Sequence, residues 1–292
     1  MVTPGEIAPV RLPPALAAAG AASAALLEAR YQEQVKAFAQ QQERQWQVLL
    51  TQQQRAAQRL AHLEAARSAV ARASGVDLEH LQAADRAQLQ QRQQAVLGLK
   101  PTVTRPAVGA AGIARTPPYD VTYVWHTAQG VVPTQTFQAN VDGTLGINAG
   151  CLEPGGVVSG MAAVGVWYYA PSAGWLLVQA QGFLDGAAEA DSIGLPWPMG
   201  YVSNVSDLRV GAWAGGTFWA GGNDYIDVSG IEVNQFSTYA GTPLGASVFL
   251  PVAAGQWYLL WAVHDTAQGA SGLASAAVNV SLYVSQLIAQ LF

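Results

Sequence analysis

The spacing of the apolar residues changes once along the chain, at a proline-rich stretch over residues 100–119. Before it, residues 14–73 consist largely of Ala, Gln, Arg, Leu and Glu, and no Gly or Pro occurs between Gly20 and Gly75. These residue types favour helix, so the sequence predicts one long helix. After it, apolar and polar residues alternate, which is the pattern of half-buried strands. We therefore expect an α + β protein whose helices and strands lie in separate domains.

In the first part, large apolar residues recur every 11 residues, at Leu27, Phe38, Leu49 and Leu60. A repeat of this length keeps a narrow apolar seam on one side of a helix. A very long helix with so narrow a seam is typical of a coiled coil rather than of a globular core. We predict homo-oligomerisation, with a trimer as the favoured state, through Leu27, Tyr31, Val35, Phe38, Leu49 and Leu60.

A break at Ser74 and Gly75 separates this helix from a second one, predicted from Asp77 to about Gly98. The second helix either folds back on the first as an αα-hairpin or continues it as a kinked rod. Residues 100–119 hold four prolines and show no periodicity, which is typical of a linker. The predicted organisation is a helical oligomerisation and anchoring region over residues 1–99, a linker over 100–119 and a β domain over 120–292.

The β domain begins and ends with alternating segments, at 121–126 and 278–285. Clusters of Gly, Pro, Asn and Asp separate further apolar segments between them, and no helical pattern intervenes. Closely spaced strands of this kind favour an antiparallel sandwich or barrel of roughly eight to ten strands. We predict a jelly-roll-like sandwich, with further strands within 161–170, 174–184, 204–214, 246–252 and 255–264.

The β domain carries few charges. Residues 116–292 contain one basic and 11 acidic side chains, whereas residues 1–115 contain 13 basic and 8 acidic ones. The β domain also holds 24 of the 30 glycines and 8 of the 9 tryptophans. Its surface must therefore consist mainly of neutral polar residues and aromatics. Such a surface predicts contact with partner subunits or with carbohydrate, unless the tryptophans lie in the core.

The sequence contains no catalytic or cofactor motif. The histidines, His62, His80, His126 and His264, have no metal-ligand spacing, and the single cysteine, Cys151, lies in no nucleophile motif. Glycine-rich phosphate loops are absent. The arginines of the helical part alternate with acidic residues and Gln, which favours a solvated flank over a nucleic-acid site. We expect no enzyme activity, no cofactor, no metal and no specific nucleic-acid partner.

Aromatic and acidic residues in predicted loops of the β domain form the best candidate ligand site. Flat aromatic faces beside carboxylates and amides suit stacking on sugar rings and bonding to sugar hydroxyls. The alternative is that these aromatics belong to the core. The candidate ligand residues are Trp197, Trp213, Trp219, Asp224 and Tyr225.

The order of the parts, a helical rod, a proline-rich linker and a Gly- and Trp-rich sandwich, resembles the layout of trimeric viral fibres and spikes. Residues 1–20 lack a secretory signal pattern, and no uninterrupted apolar stretch of about 18 residues occurs, so membrane insertion is not expected. We expect a non-enzymatic virion fibre or spike-like protein, or an extracellular appendage protein, that is assembled in the cytoplasm. Its N-terminal region would contact other particle proteins, and its sandwich would bind surface glycan. The alternatives are a secreted bacterial lectin or membrane-active, toxin-like protein, and an intracellular scaffold associated with nucleic acid.

Overall fold

The structure is a computed structural model that describes residues 6–7, 40, 44, 46–52, 54–55, 57–61, 65–66, 68–73, 78–101, 114–152, 155–192, 194–195, 197–198, 200–214, 217–230 and 233–292. The described residues between 40 and 73 are helical, and helix α1 spans Leu78–Leu97, as predicted for the second helix. No long coiled coil is shown in these ranges, and no described helix is long and apolar enough to span a membrane. Four predicted seam residues lie outside the described residues: Leu27, Tyr31, Val35 and Phe38.

The rest of the described chain is mainly β. Its strands, in chain order, are β1 (Glu6–Ile7), β2 (Ala114–Arg115), β3 (Val121–Gly130), β4 (Thr134–Ala139), β5 (Thr144–Leu152), β6 (Gly155–Ala170), β7 (Gly174–Ser192), β8 (Gly194–Leu195), β9 (Trp197–Pro198), β10 (Gly200–Ala214), β11 (Thr217–Gly230), β12 (Asn234–Val252), β13 (Gln256–Gly272) and β14 (Ala274–Leu291).

Two antiparallel sheets pack face to face, so the predicted β-sandwich is confirmed. Sheet A has the strand order β1-β3-β6-β13-β10-β11, and sheet B has the order β12-β7-β14-β5-β4, with β2 against β14. Strands β8 and β9 pair with each other. Apart from the hairpins β4–β5 and β10–β11, consecutive long strands lie in opposite sheets, so the described chain repeatedly crosses between the two layers.

The main core lies between the sheets and follows from the alternation of side chains along each strand. On β13, Tyr258, Leu260 and Ala262 belong to this core, whereas Leu259 and Trp261 belong to a second cluster on the outer face of sheet A. Strands β6 and β13 therefore have apolar side chains on both faces of sheet A. This explains why these two strands read as nearly continuous apolar runs.

Helix α1 packs on the outer face of sheet B, whereas the sequence predicted that it folds back on the first helix or continues it. Its Leu89 clusters with Leu273, and its Val96 clusters with Ala187 and Ala277. The small outward side chains of β7 and β14 allow this close approach, because a helix needs a surface without large protruding residues. The sandwich therefore supplies the apolar partner of α1.

Side-chain amides also fix α1 to sheet B. The Nε2 atom of Gln93 donates to the carbonyl oxygen of Cys151 at 2.8 Å. The Nδ2 atom of Asn279 donates to the carbonyl oxygens of Leu97 at 3.0 Å and of Leu99 at 2.8 Å. Because the last carbonyls of a helix have no intrahelical partner, Asn279 caps the C-terminal end of α1 from strand β14.

One predicted seam residue, Leu49, is buried against the sandwich. It clusters with Trp46 and with Val157 of β6. Leu49 therefore makes an intramolecular contact that the predicted seam did not include, because sheet A offers an apolar surface at this point. Leu60, the other described seam residue, is half-buried.

Candidate functional site

The structure places all the predicted ligand residues in strands, whereas the sequence predicted a strand only for the segment with Trp213 and loops for the others. Trp213 lies in β10 and Trp197 in β9, whereas Trp219, Asp224 and Tyr225 lie in β11. The prediction took β11 for a loop because its Gly, Asn and Asp residues are typical of turns. Strand β11 is at the edge of sheet A, where backbone pairing with β10 is enough to hold such a sequence in a strand.

These residues do not converge on one surface. Trp213 is only 5% exposed and lies in the cluster on the outer face of sheet A. Trp219 and Tyr225 pack against the core between the sheets, on the opposite side of the same sheet. Asp224 is exposed. The side chain of Trp197 lies outside the described residues.

Tyr225 takes part in a buried polar pair between the sheets. Its hydroxyl lies 2.8 Å from Nε2 of His264, a side chain that is fully buried. Burial lowers the pKa of His264 to about 3, so its ring is neutral at physiological pH. The Tyr225 hydroxyl therefore pairs with Nε2 of His264 inside the core.

The acidic residues near β11 form a structural group around one arginine. Asp207 and Asp265 are cross-strand neighbours, and Nε of Arg209 lies 2.8 Å from Oδ2 of Asp207 and 3.2 Å from Oδ2 of Asp265. Burial, followed by the nearby charge of Asp265, raises the pKa of Asp207 to about 9. Among the described residues no group of three or more His, Cys, Asp or Glu is arranged to hold a metal ion.

The outer face of sheet B presents a different kind of surface. One half of it, around Ala187 and Ala277, lies under α1. The other half is open and displays Trp175, Phe249 and Phe292, whose exposures are 57%, 56% and 64%. We call this open half the aromatic–amide face, and define it by Trp175, Gln179, Gln181, Ser247, Phe249, Gln290 and Phe292.

The three exposed aromatics meet at one end of this face. The ring centroids of Phe249 and Phe292 are 6.0 Å apart, and their planes differ by 33°. The backbones of Trp175 and Phe292 exchange hydrogen bonds of 3.2 and 2.9 Å. Phe249 lies opposite Leu177, two residues along β7 from Trp175. The aromatics therefore form one platform across three adjacent strands.

A polar cleft of about 350 Å³ continues the platform along β7 and β12. Two of its amides are each fixed at one end. Gln286 donates to Oε1 of Gln181, which leaves the amide N–H groups of Gln181 available as donors. Asn223 donates through Nδ2 to the carbonyl oxygen of Gly245 at 3.0 Å, which leaves its Oδ1 as an acceptor. The cleft is lined by Gln179, Ala180, Gln181, Gly222, Asn223, Gly245, Ala246 and Ser247.

The cleft and the platform together offer neutral polar groups beside flat apolar rings. None of their side chains carries a formal charge. The Ser247 hydroxyl adds a group that donates and accepts hydrogen bonds. The arrangement can therefore bind a ligand that is itself neutral, rich in hydroxyls and apolar on one side.

The sequence held a signal for this site that composition alone did not reveal. In the predicted strand 174–184, Leu176, Val178 and Ala180 form the apolar set that must point inward. The same alternation places Trp175, Gln179 and Gln181 on the other face. A tryptophan that shares a strand face with two glutamines, and lies opposite the face of the core residues, is expected to be an exposed aromatic on a polar surface.

No family model and no curated protein sequence matches this chain. Among solved structures, the sandwich resembles the enzymatically active domain of a tailspike protein from bacteriophage CBA120, with 10% identity, a TM-score of 0.23, and coverage of 59% of this chain and 19% of that one. It also resembles CsCBM6-3 from Clostridium stercorarium in complex with cellobiose, with 12% identity, a TM-score of 0.22, and coverage of 63% and 100%. A family 35 carbohydrate binding module from Clostridium thermocellum matches with 12% identity, a TM-score of 0.17, and coverage of 59% and 98%. At these values the likeness carries no argument about function.

Proposed function

We propose that this protein is a non-enzymatic attachment protein whose sandwich binds carbohydrate through the aromatic–amide face. The observation that carries the proposal is the exposure of Trp175, Phe249 and Phe292 on one platform beside the amide-lined cleft. Three large aromatics kept in contact with water on neighbouring strands mark an interaction surface. The adjoining amides and hydroxyl make a sugar a better ligand than a purely apolar partner.

The chemistry of the face supports binding without catalysis. General acid and base catalysis needs a titratable side chain within reach of the ligand. The residues that line the cleft have only amide, hydroxyl and apolar side chains. Cys151 is buried, and burial raises the pKa of its thiol. A bound sugar on this face would therefore be held and not cleaved.

We extend the proposal to a role as a virion fibre or spike-like component, or an extracellular appendage protein. The strand order, in which most consecutive long strands change sheets, supports a jelly-roll connection. Leu49 packs on the sandwich, but the other positions of the 11-residue repeat, Leu27, Phe38 and Leu60, support oligomerisation through this part of the chain, with a trimer favoured. The same region is proposed to contact other particle proteins. Because α1 covers only one half of sheet B, an anchored helical region leaves the binding face open.

The proposal is tested by glycan-array and polysaccharide-retention measurements on the full chain and two variants. Trp175→Ala should weaken binding by about tenfold or more, since it removes the largest ring of the platform. Phe236→Ala is the matched control, because Phe236 is also 57% exposed and lies on β12 about 40 Å from Phe249. Both variants should keep the melting temperature of the wild type.

Two results would contradict this function. Retention of no glycan by the wild type would remove the proposed ligand class. Equal binding by Trp175→Ala and the wild type would remove the proposed face. If Trp175→Ala instead abolishes self-association in sedimentation while glycan binding persists, the face is a contact between subunits.

A further inference from the structure

We infer that the ligand is an uncharged, linear glycan longer than a disaccharide, which lies along β7 from the aromatic platform to the amide-lined cleft. This inference rests on the proposed function and specifies its ligand class. It follows from three features of the aromatic–amide face: its length, its hydrogen-bonding groups and its lack of charge.

The length follows from the register of the strands. Trp175 and Gln181 point to the same face and are six positions apart on β7, which corresponds to about 20 Å. On β12 the matching outward residues are Phe249, opposite Leu177, and Gly245, opposite Gln181. The platform and the cleft are therefore the two ends of one strip. A disaccharide is too short to contact both ends.

The hydrogen-bonding groups suit hydroxyls in particular. A hydroxyl donates one hydrogen bond and accepts others. Gln181 presents donors to the cleft because its oxygen is already engaged by Gln286, and Asn223 presents an acceptor because its Nδ2 is engaged by Gly245. These groups are held before a ligand arrives, so little ordering is needed on binding.

The lack of charge excludes acidic sugars as the preferred ligands. The strip has no Arg or Lys to pair with a carboxylate or sulfate, and residues 116–292 contain 11 acidic side chains against one basic one. An anionic group bound here would lose water without gaining a charged partner.

Gly245 offers a way to block one end of the strip while leaving the other intact. A Cβ built on Gly245 would meet only the carbonyl oxygen of Ala180, at 3.5 Å, which is an ordinary contact. Gly245→Val therefore adds a side chain to the cleft lining at a position that has room for a Cβ, and it leaves Trp175 in place. Gln181→Ala tests the same end without adding volume.

The experiment is calorimetry of the full chain with neutral linear gluco-, manno- and galacto-oligosaccharides, from disaccharide to octasaccharide, and with oligogalacturonate as the acidic counterpart. The wild type should bind the best neutral hexasaccharide at least about tenfold more tightly than its disaccharide. Gly245→Val and Gln181→Ala should each remove most of this gain. Oligogalacturonate should bind at least about tenfold more weakly than the neutral chain of equal length.

The outcomes separate this inference from the proposed function. Preference for oligogalacturonate, equal affinity for disaccharide and hexasaccharide, or wild-type affinity in both cleft variants would overturn the inference. In each of these cases a loss of binding in Trp175→Ala would still support the proposed function. Binding of no glycan of any kind would overturn both.

Discussion

Glu189 lies under α1 on the outer face of sheet B and should make the stability of the protein depend on pH. The side chain is 1% exposed, and its Oε1 accepts a hydrogen bond from Oγ of Ser275 at 2.7 Å. Its Oε2 has no hydrogen-bond partner among the described residues. The nearest cation, Arg92, is hydrogen-bonded to Asp191. Burial, helped by the charge of Asp191, raises the pKa of Glu189 to about 7, although the hydrogen bond from Ser275 and the charge of Arg92 act to lower it.

The size and sign of the effect follow from this pKa. A carboxyl whose pKa is raised from 4.5 to about 7 on folding favours the folded state when protonated. Its contribution is complete below pH 4.5 and is lost as the pH rises through about 7. At about 1.4 kcal/mol per pKa unit, the free energy of unfolding falls by roughly 3 kcal/mol over this range. Because α1 covers Glu189, part of this loss should appear as weaker packing of the helix.

The substitution Glu189→Gln keeps the shape of the protonated side chain and removes its titration. Urea unfolding at pH 5 and pH 8 should show the variant gaining about 2.5 kcal/mol relative to the wild type between the two conditions. Asp227→Asn makes the same change of net charge at an exposed position of β11 and serves as the control. The proposed titration of Glu189 would be refuted if the free energies of unfolding of Glu189→Gln and the wild type differed by the same amount at both pH values. Such a result would mean that Glu189 is hydrated beneath α1.

Two further substitutions test the interior of the sandwich. Trp213→Ala should lower the free energy of unfolding, measured by urea titration, by about 3–5 kcal/mol, since the side chain is only 5% exposed. A loss below about 1 kcal/mol would show that Trp213 is on the surface. Burial lowers the pKa of His264 to about 3, so the unfolded chain binds a proton below pH 6.5 that the folded chain excludes, and stability falls with decreasing pH. Between pH 7 and pH 5, His264→Gln should therefore lose about 2 kcal/mol less stability than the wild type, and equal losses would contradict this role of His264.

The sequence predicted the sandwich because the side-chain alternation of its long strands is strong. Segments such as 161–170 and 278–285 carry apolar residues on at least one complete face, and both lie in strands. Among the longer strands, β4, β5 and β11 were missed, and the Gly and Asn residues of β5 and β11 read as turns. In β5, Gly150 is needed by packing, because a Cβ there would lie 3.2 Å from Nε2 of Gln93. The residues that obscured β5 are thus the ones that let α1 approach.

The candidate site could not be predicted from composition because tryptophan occurs both inside and outside this domain. Trp213 and Trp175 have similar local sequences of small and apolar residues. Trp213 lies on a face of sheet A that is buried, whereas Trp175 lies on the half of sheet B that α1 does not cover. Which face of which sheet is covered depends on contacts between segments far apart in the chain. The local alternation of apolar and polar residues shows on which face of a strand a side chain lies. It does not show whether another part of the chain buries that face.

Strand β7 contributes both to the surface that α1 covers and to the proposed binding face. Its outward positions change from Trp175, Gln179 and Gln181 at one end to Ala187 and Glu189 at the other. A helix can approach the second set because its first member is small, whereas the large ring of Trp175 at the other end keeps a helix away. Hydrogen bonds to β12 and β14 on both sides hold β7 over its whole length. The proposed binding face therefore consists mainly of strand residues and needs no ordering of loops, which would favour affinity for a ligand as extended as the strand itself.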